Sequence, residues 1–103
     1  MRILRIQDTL QRTGATRTPL YEDVANGLFT KPVKVGGRRA AGWPEREVEA
    51  IVAARVAGAP DEEVRRLVQA LHRDRRHAYA TAVEHCLSEV GDLRDWLSQS
   101  EAA

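Results

Sequence analysis

The sequence predicts a mostly α-helical protein that carries one short β-hairpin and ends in a helical extension. Three observations predict it. Apolar residues recur at helical spacing in several separate segments. One segment, around Phe29 to Trp43, breaks that period and contains Pro32 and Gly36-Gly37. Gly or Pro stands at the joins, at Gly14, Gly27 and Gly58-Ala59-Pro60.

Taken in order, Ile6 and Leu10 are i,i+4 neighbours after Ile3 and Leu4, and Gly14 supplies a left-handed C-cap, so a short helix is expected at about 6–13. Gly14-Ala15-Thr16 reads as a tight turn with Thr16 as N-cap of a second helix over about 17–26. Leu20 and Val24 face inward there, Pro19 falls in the first turn where a missing N–H is harmless, and Asn26-Gly27 closes the helix. Two extended runs around the Gly36-Gly37 tip form the hairpin, with Lys31, Lys34, Arg38 and Arg39 along it. Pro44-Glu45-Arg46-Glu47 opens a third helix with Pro at its first position and an apolar stripe of Val48, Ile51, Val52, Arg55 and Val56. Asp61-Glu62-Glu63 starts a fourth, faced by Val64, Leu67, Val68 and Leu71. A last helical pattern sets Tyr79, Val83, Cys86, Val90, Leu93 and Leu97 on a heptad-like seam, interrupted at Gly91-Asp92.

Composition narrows the function classes. A chain of 103 residues with 43% hydrophobic and 30% charged residues is an ordinary folded protein with a modest core, not a disordered one. One Cys cannot form an internal disulfide, and neither a membrane-length apolar run nor a cleavable leader pattern is visible, so a cytoplasmic protein is expected. The formal net charge of +1 hides an asymmetry. Residues 1–77 hold fifteen Lys+Arg and ten Asp+Glu, a net of +5, whereas residues 78–103 hold Arg94 against five acids, a net of −4. Such a split points to a basic working surface followed by an acidic tail.

Helix, three-residue turn, helix and then a hairpin with basic residues at its tip is a winged helix-turn-helix order. A helix fits the major groove, and its side chains reach base edges. A Gly-rich hairpin lets backbone and guanidinium groups approach phosphates or a narrow minor groove. The DNA-binding candidates are therefore Arg17, Thr18, Tyr21 and Glu22 on the second helix, with Ala25 beside them, and Lys31, Lys34, Gly36, Gly37, Arg38 and Arg39 on a short two-stranded wing. The expected division is a DNA-binding domain at 1–58 and a helical extension at 59–103.

The segments ILRIQDTLQRTGATRTPLY (3–21), GLFTKPVKVGGR (27–38) and GWPEREVEA (42–50) resemble the AlpA family of prophage regulators, relatives of excisionases and MerR-type winged helices. The resemblance runs from Arg2 to about Ala57, with a weaker likeness to about Arg76. It implies binding of double-stranded DNA in a bacterial nucleoid-associated setting, as a transcriptional regulator or an excisionase-like architectural factor, and a core-anchoring role for Trp43. Glu22 stands where the family usually carries Arg, and Thr30 follows Phe29 where the family often has Pro.

Other chemistries find little support. His72, His77, His85 and Cys86 lack metal-ligand spacing, and Cys86 has no His–acid pair to activate it; it reads as a small core residue on the seam. No phosphate or dinucleotide loop is present, so no enzyme and no cofactor is expected. The 79–97 seam either packs back on the domain or pairs with another chain as a homodimer or protein-partner helix. The competing function is an adaptor, antitoxin-like or polymerase-contacting, that acts through the acidic C-terminal helix.

Overall fold

The computed structural model describes residues 2–34 and 41–89. Their elements follow the order β1 (Ile3–Arg5), α1 (Ile6–Thr13), α2 (Arg17–Ala25), β2 (Val33–Lys34), β3 (Ala41–Pro44), α3 (Glu45–Val56) and α4 (Asp61–Glu89). The chain divides into two compact units, 1–72 and 73–103.

In the first unit the helices begin and end for local reasons. At the end of α1, Gly14 takes φ 72° and its N–H reaches the Leu10 carbonyl at 2.9 Å, a left-handed cap that turns the chain within two residues into α2. At the end of α2, Gly27 takes φ +76° and the Leu28 N–H returns to the Asp23 carbonyl at 2.8 Å, closing a Schellman motif. Thr16 occupies the N-cap of α2 through its backbone, without a side-chain hydrogen bond.

The sheet is antiparallel with strand order β1-β3-β2. The expected wing of two strands is thus part of a three-stranded sheet, because Ile3, Leu4 and Arg5 pair with Pro44, Trp43 and Gly42. On the other side Val33 and Lys34 pair with Gly42 and Ala41. Pro44 ends β3 rather than opening α3 from its first position. With no N–H to place, Pro44 sits opposite Ile3, and the next amide, Glu45 N–H, donates to the Arg2 carbonyl at 2.8 Å.

The core of this unit gathers Leu4, Leu20, Leu28, Phe29, Trp43, Val48, Ile51, Val64 and Val68. Val64 and Val68 belong to α4, and the compact unit runs to His72. Val56, placed on the inner stripe of α3 by periodicity, is 84% exposed, since the stripe outruns the elements it packs against.

α4 is one helix from Asp61 to Glu89, where two helical segments were expected. Neither Gly nor Pro occurs between Asp61 and Glu89, and Ala-rich spacing carries the helix through 78–82. Within the second unit Tyr79 and Cys86 are exposed and Val83 is half-buried. Cys86 is thus a surface thiol, not a core residue: the seam has nothing against it at that position among the described residues. Val90, Leu93 and Leu97 lie outside the described residues, as do Gly36, Gly37, Arg38 and Arg39. No helix among the described residues is long and apolar enough to cross a membrane.

Candidate nucleic-acid interface

Leu20 is buried at 1% exposure and Val24 is half-buried, which turns the opposite side of α2 outward. Arg17, Thr18, Tyr21, Glu22 and Ala25 are all exposed there, spaced so that they form one face. The expected helix face is assembled. Arg17 has no ion pair or hydrogen-bond partner among the described residues, which leaves its guanidinium directed at solvent.

An aromatic chain fixes the height of that face over the sheet. Tyr21 is 41% exposed, and its ring centroid lies 6.1 Å from that of Trp43 at 60°. Trp43 is fully buried and meets Phe29 edge-on at 6.0 Å. Its indole Nε1–H donates to the Thr30 carbonyl at 2.8 Å, so the core anchor expected of Trp43 is also a polar anchor.

The strand register puts a cation on the sheet side that carries Trp43. Lys34 lies directly across from Ala41, two residues before Trp43, and residues two apart in a strand share a side. Lys34 therefore shares a sheet side with Trp43, against which Tyr21 rests, and both Lys34 and Lys31 are exposed. Arg5 is exposed on the other side of the sheet, across from Gly42.

Two arginines of this unit, Arg12 and Arg2, are engaged in ion pairs. Arg12 donates to Glu45 Oε2 at 3.0 Å and lies 3.6 Å from Glu49, tying α1 to α3, and Arg2 reaches the same Glu45 oxygen at 3.5 Å.

Several polar contacts had no clear signal in the sequence. Thr9 is buried and its hydroxyl donates to the Arg5 carbonyl, while Thr13 repeats the pattern one turn on; the i,i+4 spacing of the two threonines is the trace it leaves. Thr30 Oγ1 is buried without a partner among the described residues. From α4, Arg65 Nε donates to the Asn26 carbonyl at 3.1 Å, and His72 Nε2 accepts the Lys31 N–H at 3.0 Å. A concavity of about 380 Å³ lined by Leu20, Phe29, Ile51 and Val56 opens on the face of α2 away from Arg17 and Tyr21.

Uncharacterized protein ORF88 of Enterobacteria phage P4 is 37% identical over 57 residues, which are 55% of this chain. The match spans 64% of that relative's length. No solved structure matches the chain. The sequence profile of the Prophage CP4-57 regulatory protein (AlpA) family matches residues 2–56, the stretch that builds β1 through α3. The chain belongs to the AlpA family of prophage regulatory proteins.

Proposed function

We propose that this chain is a sequence-specific regulator that binds double-stranded DNA through a winged helix-turn-helix. In this reading α1 and α2 are the helix-turn-helix, α2 enters the major groove, and the β2–β3 hairpin is the wing. Arg17, Thr18, Tyr21 and Glu22 meet base edges and nearby phosphates. Lys31 and Lys34 contact the backbone, and Gly36, Gly37, Arg38 and Arg39 extend that contact from the wing. The observation that carries the reading is the exposed Arg17–Tyr21 face of α2 resting through Tyr21 on Trp43, with the exposed Lys34 on the same side of the sheet as Trp43. Family membership supports a regulatory output by occupancy, without chemistry on the DNA.

Glu22 shapes what such a face can read. A carboxylate only accepts, so in a major groove it is suited to a cytosine amino group and opposed by phosphate. Occupying a promoter and bending an attachment site for a recombinase are the two regulatory modes this reading covers.

A titration of the full chain against duplex DNA over a salt series tests the proposal. The expected result is affinity that falls linearly on a log–log plot, with a preferred duplex that outcompetes random sequence. A slope near zero with no preference among duplexes overturns it.

The C-terminal helix supports a second, compatible role. Tyr79 is 60% exposed and Cys86 is exposed, so the seam that continues in sequence through Val90, Leu93 and Leu97 is suited to a helix from another chain. A homodimer on this seam would place two DNA-binding units on one site.

A further inference from the structure

We propose that His72 is a positioning residue for the DNA interface: its Nε2 sets the orientation of the Thr30–Lys31 peptide, and with it the placement of Lys31 and Lys34 beside α2. The inference rests on the DNA-binding reading above. His72 lies outside the segment matched by the family profile, which ends at residue 56.

The geometry is a peptide plane held from both sides. The Thr30 carbonyl accepts the indole N–H of Trp43 at 2.8 Å, and the N–H of the same peptide, on Lys31, donates to His72 Nε2 at 3.0 Å. In a trans peptide these two groups point in opposite directions from one rigid plane, so two partners on opposite sides fix its orientation. The next residue, Pro32, has a locked φ and no N–H and holds Lys31 to extended backbone, so few conformations are left between that peptide and β2. Trp43 also carries the ring of Tyr21. One peptide thus relates Lys31, and Lys34 on β2, to the exposed face of α2.

α4 holds the other end of the same connection. Arg65 lies seven positions before His72, on the same face and about 10 Å back along the axis. Its Nε donates to the Asn26 carbonyl at the C-terminal end of α2, and its side chain passes close to Gly27. The chain from Asn26 to Lys31 is therefore bracketed by two side chains of one rigid helix. Arg65 secures the exit from α2, and His72 secures the entry to β2.

The contact requires an acceptor at the position of Nε2, which an imidazole offers when its proton is on Nδ1. A glutamine places its Oε1 at a similar reach and keeps that acceptor. Alanine removes it, and leucine removes it while keeping most of the volume.

The test uses the full chain as wild type, His72→Ala, His72→Leu and His72→Gln, all at one pH near 8. Two quantities are read: hydrogen exchange of the Lys31 amide without DNA, and the salt dependence of binding to random-sequence duplex. In His72→Ala and His72→Leu, Lys31 exchange is expected to rise at least tenfold while the amides of α3 keep their protection. The log–log salt slope is expected to fall by about one to two, the contribution of one or two phosphate contacts at about 0.9 each. His72→Gln is expected to restore both. His72→Gln removes the imidazole as Ala and Leu do but keeps an acceptor, so a slope that falls in Ala and Leu and not in Gln reports displaced lysines rather than the loss of the imidazole itself.

Loss of protection throughout α3 in both Ala and Leu variants overturns the proposal, because His72 is then a general packing residue. Lys31 deprotection with an unchanged slope also overturns it, because the contact then exists without placing the lysines. A wild-type chain that shows no salt-dependent duplex binding overturns the DNA reading itself, and this inference with it.

Discussion

The indole N–H of Trp43 and the carbonyl of Thr30 meet at 2.8 Å inside the core, where both side chains are fully buried. This bond ties β3 to the connection that follows α2, while the same indole meets Tyr21 tilted and Phe29 edge-to-face. Trp43→Phe keeps an aromatic ring but leaves the Thr30 carbonyl without its donor. The unmet acceptor and the lost volume together are expected to destabilise the unit by about 2 kcal/mol. That corresponds to roughly 8–16 °C in Tm for a unit of this size. Thermal and urea unfolding check it, and a loss below about 0.5 kcal/mol contradicts the role given to the bond.

In the proposed DNA-binding reading the arginines divide between DNA and the fold, and substitution separates them. Arg17→Ala is expected to weaken binding to the preferred duplex by about 1–3 kcal/mol with little change in stability. Arg12→Ala is expected to leave the salt slope unchanged, because its guanidinium is bound to Glu45 and Glu49. It should lower stability by about 1 kcal/mol or less, as such partly exposed pairs do. Equal effects of the two substitutions on the salt slope would remove the distinction.

Glu22 gives a change of opposite sign. It is an exposed carboxylate on the same face as Arg17 and Tyr21. Glu22→Arg replaces a group repelled by phosphate with one attracted to it, so affinity for random duplex is expected to rise and the salt slope to steepen by about one. Preference for the best site should narrow at the same time, since a base-edge acceptor is lost. Competition binding against random DNA measures both. An unaltered slope would place Glu22 away from the duplex.

Gly27 holds the left-handed position that closes α2, at φ +76°. Gly27→Ala forces a side chain into that conformation and sets its Cβ 3.8 Å from Arg65 Cγ, an ordinary contact distance. The expected loss is therefore the backbone penalty alone, about 1 kcal/mol, or roughly 4–8 °C in Tm. A larger loss accompanied by weaker DNA binding would show that the Arg65 bracket has moved as well.

The exposed thiol of Cys86 reports on the seam. If two copies pair through Tyr79, Val83 and Cys86, mild oxidation is expected to join them by a Cys86 disulfide. Val83→Glu should abolish both that product and the dimer mass in sedimentation. A monomer at every concentration, with no oxidised dimer, rules out pairing on this seam.

The helices around the interface were legible because their boundaries are written locally. Expectations of 6–13 and 17–26 stand beside Ile6–Thr13 and Arg17–Ala25, since i,i+4 apolar pairs and glycines able to adopt φ > 0 act within one or two turns. The exposed face of α2 followed from Leu20 and Val24 by the same periodicity. β1 was not legible as a strand. Three residues carry too little pattern, and their partners Gly42, Trp43 and Pro44 stand about forty positions away. α4 was divided in two because the apolar seam beginning at Tyr79 looks like a new element, although the absence of Gly and Pro between Asp61 and Glu89 lets the old one continue.

By itself, the sequence determined which residues are helical, where the turns fall, and that the basic residues precede an acidic tail. Only the tertiary structure decided which arginines are occupied, that Trp43 binds the Thr30 carbonyl, and that α4 reaches back to Asn26 and Lys31. The reason is physical. Caps and helical spacing are satisfied by near neighbours, whereas a hydrogen bond between residues 41 positions apart exists only once packing has brought the two together.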